Sequence, residues 1–402
     1  MADQTLARYV NERGILTLLR VQGALSRAEM ARQLAVTPAT VTRVVVDMIE
    51  RGLLREVPPG AAREGREPGR PAVGVTLAPE GAYFLGVEIG VGVLRFALLD
   101  LAAKVTLASE RIISRSTPPD AIVDMIAAEL ADLAADPRFS GRIRSVGVTV
   151  PGLVTLDGYV VHLPILGWKE LNLKARLAAA IALPVIIENN AAAAAFGAVY
   201  TQPELPSTCS IFLKLGTGLG GAAIINGRLL RGGSGTAGEF GHVRIADAGP
   251  RCSCGQVGCL ETFVNLAALA RAFHGHEGGA AKEGTALPAA VARAAEAGDD
   301  GARIAIDSLA ERLGRGIVSL VNIFDPTTIV LGGVMRPVIE RMIPVVKGVV
   351  AGGIVPGMRM PDIRLSALGL HECAIGAATI AHHRAFDLSN VDLAETPGQA
   401  TD

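Results

Sequence analysis

Glu239-Phe240-Gly241-His242, followed shortly by Cys252-Ser253-Cys254-Gly255-Gln256-Val257-Gly258-Cys259-Leu260-Glu261, is the stretch from which the rest of the chain is best read. Three of the five cysteines fall here, within eight positions. Three soft thiolates and one imidazole suit a tetrahedral zinc ion, and the glycines let a short loop fold around it. His242, Cys252, Cys254 and Cys259 are the candidate ligands, and four protein ligands leave no position for an activated water, so such a metal is structural. On the residues alone, buried free thiols or a disulfide remain open.

On both sides of this stretch, strand-like apolar runs alternate with Ala-rich helical stretches from Tyr83 onward. Phe84–Val87, Phe96–Leu99, Ser145–Val150, Val185–Ile187, Ser210–Leu215, Ala222–Ile225 and Thr328–Leu331 are candidate strands, and Ile304–Phe324 is an amphipathic helix. The alternation favours an α/β architecture. Two glycine turns stand out, Glu88-Ile89-Gly90-Val91-Gly92 and Leu215-Gly216-Thr217-Gly218-Leu219-Gly220-Gly221. A glycine-rich turn lets backbones approach and is by itself weak evidence for a nucleotide.

The first 80 residues have another texture. Residues 6 to 22 carry a helical period that Gly23 interrupts, and Ser26 with Glu29 three residues on forms a capping box for a second helix to about Gln33. Thr37 caps a third helix with Pro38 at its first position. There Val41, Val44, Val45, Met48 and Ile49 form one buried stripe, while Thr40, Thr42 and Arg43 lie on exposed positions. Leu53–Val57 and Val73–Leu77 flank a Gly-, Pro- and Arg-rich segment, the outline of a hairpin wing carrying Arg63, Arg66 and Arg70. Two helices joined by a tight turn can place the second in the major groove of DNA, where Arg43 could read guanine and the wing arginines approach the backbone. A protein-interaction module of three helices and a hairpin is the blander alternative.

Charge distribution agrees with a DNA-binding head. The 402 residues carry a net charge of −1, but residues 1–71 hold 11 Arg, no Lys and 8 acidic residues, a balance of +3 against −4 for the remainder. Apolar stretches are broken before they reach the roughly 20 residues of a membrane span, and the N-terminus has no signal-peptide pattern, so a cytoplasmic location is expected. The polar segment 388–402 is expected to be a loose tail.

Residues Ile15–Leu54, with Ser26-Arg27-Ala28-Glu29-Met30-Ala31 and Thr40-Val41-Thr42-Arg43, and Gly69-Arg70-Pro71 before a strand, resemble the winged helix of ROK-family repressors. The Cys-x-Cys-Gly-x-x-Gly-Cys-x-Glu pattern and the ordered turns from Tyr83 to about Arg384 resemble the sugar kinases and regulators of the same family. The resemblance implies a winged helix-turn-helix over 1–80, followed by an actin-like (sugar kinase, RNase H-like) two-lobed α/β domain over 81–387. Its small lobe would span about 81–195 plus the C-terminal helix, and its large lobe about 196–372. It implies zinc on His242, Cys252, Cys254 and Cys259, and a sugar bound by Asn189, Asn190, Glu239, His242 and Glu261. Thr40, Thr42, Arg43 and Arg70 would meet operator DNA, and a two-fold operator calls for a homodimer or higher even oligomer.

The chain departs from the family's active kinases at three places. Their first phosphate loop, Asp-x-Gly-Gly-Thr, is here Glu88-Ile89-Gly90-Val91-Gly92. Their Asn-Asp pair, whose Asp takes the proton from the sugar hydroxyl, is here Asn189-Asn190, and an amide cannot act as that base. An Asn of the kinases is here Ile165, which leaves the sugar open. The resulting expectation is a sugar-responsive transcriptional regulator, a repressor in the first instance, without kinase activity. The alternatives are a working ATP-dependent sugar kinase with a regulatory head, in which Glu188 would substitute as base, and a constitutive DNA-binding protein with a vestigial pocket.

Overall fold

The structure, a computed structural model, describes residues 2–58, 73–155, 157–163, 166–202, 205, 208–275 and 284–385. The head opens with α1 (Ala2–Gln22), which starts four residues earlier than its sequence period suggests. Next come β1 (Leu25–Ser26), α2 (Arg27–Leu34) and α3 (Pro38–Glu50). The capping box is formed: Glu29 N–H donates to Ser26 Oγ and Ser26 N–H donates to Glu29 Oε2, an arrangement worth about 1 kcal/mol. Val41, Val44, Val45 and Met48 of α3 are buried against Ile15, Leu16 and Leu19 of α1, while Ile49 is only half-buried. The wing strands β2 (Leu54–Val57) and β3 (Gly74–Leu77) pair antiparallel, and β1 adds to β3. Arg63, Arg66 and Arg70 lie outside the described residues, as do Pro164, Ile165 and the segment 388–402.

Among the described residues the body contains two five-stranded sheets. The first, in the order β11-β7-β4-β5-β6, is built from β4 (Tyr83–Gly90), β5 (Val93–Asp100), β6 (Val105–Ile112), β7 (Ile143–Val150) and β11 (Val185–Asn189). Helix α4 (Pro119–Ala135) joins β6 to β7. A small sheet of β8 (Leu153–Val154), β9 (Val160–Leu163) and β10 (Trp168–Leu171), with α5 (Leu173–Ala180), lies before β11. Helix α6 (Asn190–Thr201) then leads to the second sheet, ordered β14-β13-β12-β15-β16. Its strands are β12 (Cys209–Leu215), β13 (Leu219–Ile225), β14 (Arg228–Leu229), β15 (Thr328–Gly332) and β16 (Asp362–Leu365). Helices α7 (Leu266–His274), α8 (Leu287–Glu296), α9 (Asp300–Phe324) and α10 (Arg336–Gly353) cover it, and α11 (Glu372–Ala385) returns to the first sheet. This is the two-lobed actin-like arrangement.

Each sheet pairs an antiparallel hairpin with parallel strands, so the two lobes repeat one plan. The divide expected near residue 195 falls inside α6, a continuous helix packed against strands of both sheets. β6 escaped the sequence reading because it is an edge strand with few buried side chains, so no apolar alternation marks it. The head does not hang from a free linker. Its apolar core continues into Ala82, Phe84, Leu101 and Ala381 of the body, and Tyr9 Oη donates to Ala385 O at 3.2 Å. Among the described residues no helix is long and apolar enough to cross a membrane.

Candidate functional site

The donor atoms of His242, Cys252, Cys254 and Cys259 all lie within 4.8 Å of one another. Cys254 and Cys259 bring their sulfurs to 3.7 Å, and Cys252 Sγ lies 3.3 Å from His242 Nδ1. Zinc–sulfur bonds of about 2.3 Å in a tetrahedron require edges of about 3.8 Å, so this donor set fits a four-coordinate soft cation. The backbone loop is closed by bridges between Arg244 and Cys259 and between Arg251 and Val257. Burial pushes the Cys259 thiol up to about 12, so a cation binding here must displace a proton from it.

His242 presents its other nitrogen away from the cysteines. Nε2 lies 3.5 Å from Glu239 Oε2, the arrangement in which a metal-fixed imidazole directs one polar edge toward a carboxylate or a ligand. Glu261 connects this loop to the second glycine turn: its Oε2 accepts from Leu219 N–H at 3.1 Å, and its Oε1 lies 3.5 Å from Cys252 Sγ. A Cβ at Gly218 would come within 2.5 Å of Glu261 Oε2. The glycine there admits the carboxylate.

Asn189 and Asn190 sit where β11 passes into α6. Asn189 is the N-cap, its Oδ1 accepting from Ala191 N–H and Ala192 N–H at 2.8 and 3.2 Å while its Nδ2 donates to Gly152 O. Asn190 is buried and aims its Nδ2 at Glu88 Oε1, 3.5 Å away, whereas its Oδ1 has no hydrogen-bond partner among the described residues. A buried acceptor without a donor costs about 1–3 kcal/mol, and a ligand hydroxyl would satisfy it. Ala191 meets Gly220 of β13, so this corner and the metal loop are neighbours.

The residues around Asn190 are engaged with each other. Glu88 pairs with Arg95 at 3.2 Å and with Lys214, across the cleft, at 3.6 Å. Glu188 has one oxygen on Asn189 N–H and the other 2.6 Å from Arg231, so it is a buried ion-pair partner between the lobes. In the first glycine turn, Gly90 pairs with Val93, and Val91-Gly92 form a two-residue hairpin with Gly92 at φ +76°. A threonine at 92 would be strained, because a β-branched residue disfavours that conformation. The sequence did not reveal Lys214, Arg231 or Arg95 as part of this corner, since their partners lie on other strands.

On the head, Thr37 Oγ1 accepts from Thr40 N–H at 3.2 Å and lies 2.9 Å from Thr40 Oγ1, while Thr42 Oγ1 donates to Pro38 O. Thr42 and Arg43 are exposed and Thr40 is half-buried. Arg8, Glu12, Asp47 and Arg51 form a charged network between α1 and α3, with Arg8 to Asp47 at 2.6 Å and Arg51 to Glu12 at 2.9 Å. The hydrogen bond from Arg8 holds the Asp47 carboxyl below its usual value.

The ROK family model matches residues 84–384, and a MarR family model matches residues 11–58. The chain is 29% identical to the xylose repressor of Bacillus subtilis (strain 168), over 82% of this chain and 84% of that one. It is 27% identical to the DNA-binding transcriptional dual regulator NagC of Escherichia coli (strain K12), over 92% of each. Among solved structures, a ROK family transcriptional regulator, a homologue of the E. coli MLC protein, superposes with a TM-score of 0.77 at 26% identity, covering 95% of this chain and 97% of that one. A ROK family glucokinase from Streptomyces griseus, in complex with glucose and AMPPNP, gives a TM-score of 0.63 at 28% identity, covering 75% of this chain and all of that one.

Proposed function

The chain belongs to the ROK family, and from that premise we propose that it is a DNA-binding transcriptional repressor whose body binds a sugar or sugar derivative without phosphorylating it. The observation that carries the reading is Asn190. It places an amide where the family's kinases carry the base, and its buried Oδ1 awaits a donor such as a sugar hydroxyl. Glu88, at the start of the first phosphate loop, is neutralised by Arg95 and Lys214 of this chain, which leaves its carboxylate committed. Loss of a general base alone costs typically 10² to 10⁴-fold in rate. Similarity to repressors that span both head and body supports the same assignment.

In this reading Glu239, His242, Glu261, Asn190 and Asn189 line the sugar site, the last chiefly by fixing the start of α6. Zinc on His242 and the three cysteines would hold the loop in shape and orient the imidazole. Thr40, Thr42 and Arg43, with Arg70 of the wing, would contact operator DNA in the cytoplasm, and a homodimer would supply two heads for two half-sites. The test is calorimetry against D-xylose, D-glucose and N-acetylglucosamine, with operator release and ADP formation measured on the same protein. Sugar binding with altered DNA affinity and background ADP is expected, and Arg43→Ala should cost about 1–3 kcal/mol on specific DNA. Robust sugar-dependent ATP turnover, abolished by Asn190→Ala, would identify a kinase instead.

A further inference from the structure

Helix α6 has one end in the candidate sugar site and the other against the head. Its twelve residues span about 18 Å. Asn189 and Asn190 begin it, and Tyr200 lies in its last turn. Along its length α6 touches α11 backbone to backbone: a Cβ at Gly376 would lie 2.0 Å from Ala193 O, and one at Gly197 would lie 2.8 Å from Gly376 Cα. No layer of deformable side chains separates the helices there, so a shift at the start of α6 is passed to its end rather than absorbed.

Tyr200 is held from the body side. Its hydroxyl lies 3.0 Å from His382 Nδ1, and His382 Nε2 lies 2.9 Å from Leu101 O. Burial keeps the His382 imidazole neutral, with its value lowered to about 4. The neutral ring donates from Nε2 to the carbonyl, so Nδ1 accepts from the tyrosine hydroxyl. Phe196 stacks on the Tyr200 ring at 5.5 Å between centroids.

From the head side, Arg20 of α1 places its guanidinium 3.9 Å from the centre of the Tyr200 ring and donates to Tyr200 O at 3.2 Å. One side chain thus makes a cation–π contact and caps a terminal carbonyl of α6, both favourable at a helix C-terminus. Arg20 directly follows Leu19, which shares the head's core with Val44, Val45 and Met48 of α3. A cavity of about 130 Å³ is bordered by Arg20, Tyr200 and His383.

We propose that Arg20 and Tyr200 form the contact through which the sugar site at the start of α6 sets the position of the DNA-facing helix α3. Both are positioning residues, since neither touches the sugar site or the DNA-facing positions of α3. This inference rests on the effector reading above for its ligand, but its mechanical claim can be measured without one. Hydrogen exchange in peptides of α1 and α3 is compared between the full chain and its Asn189→Ala variant, in wild-type and Arg20→Ala backgrounds. Loss of the α6 cap should speed exchange in the head several-fold in the wild type and leave it unchanged with Arg20→Ala, while Tyr200→Phe, which keeps the ring, should respond as the wild type does. Equal responses with and without Arg20, or no response in the wild-type head, would overturn the proposal. For whichever of D-xylose, D-glucose or N-acetylglucosamine binds, Arg20→Ala should keep both sugar and operator affinity but lose the effect of one on the other, a coupling that is typically 5- to 150-fold. If none of them binds, the effector reading fails, and the exchange comparison still decides the mechanical claim.

Discussion

The metal loop and the Asn190 corner are neighbours, brought together where Ala191 meets Gly220, but they hold different things. At the loop, every donor needed for a four-coordinate cation is in place, and Glu261 links it to β13 through Leu219 N–H. At the corner, a strand leads into a helix, and the groups present are an amide, a two-residue turn and ion pairs made within the chain. In the proposed reading, ligand shape and ligand turnover reside in separate residues, so that one can be lost while the other is kept. A binding protein needs fixed donors and acceptors, whereas a kinase also needs a base and an open phosphate site.

The largest effect should come from the loop. Cys254 is exposed, so Cys254→Ala removes a ligand without opening a core cavity, and metal affinity should fall at least about a hundredfold, with melting temperature and sugar affinity falling together. Metal analysis and thermal unfolding check this; a variant with one metal per chain and wild-type melting would break the comparison. A smaller effect is expected from Gly218→Ala, whose Cβ displaces Glu261 Oε2. Sugar affinity should drop about tenfold with metal content unchanged, corresponding to a steric cost of about 1–3 kcal/mol. Loss of metal along with the sugar would mean that Glu261 supports the cation and not the ligand.

The smallest effect is expected at the corner. Asn190→Asp restores a carboxylate, but it places that group near Glu88 Oε1, now 3.5 Å from the Asn190 amide, and repulsion between the two would favour protonation of the pair. An ADP-release assay should show at most trace turnover. Adding Val91→Gly and Gly92→Thr meets a further obstacle, because position 92 has φ +76° and a threonine there would force the hairpin to rearrange. Rapid turnover after the single change would show that the corner is one atom away from an enzyme, and the contrast between the two regions would collapse.

Much of this molecule can be read from local sequence, because the signals are short-range. The Ser26/Glu29 box, the Thr37-Pro38 start and the α3 stripe each involve residues within one or two helical turns, and the metal ligands lie within 18 positions of one another. That Asn190 stands where the kinases the chain resembles carry an acid was legible only through that resemblance, not from periodicity or spacing. Only the tertiary structure could decide what Glu188, Lys214 and Arg231 do, since each takes its role from a partner distant in sequence. The same holds for the edge strand β6, whose formation depends on β5 and not on its own pattern, and for the division of the lobes through α6. Arg20 and Tyr200 are separated by 180 positions and belong to no motif. Their meeting exists because the head's core continues into the body, and no periodicity in either segment encodes a contact between two folded surfaces.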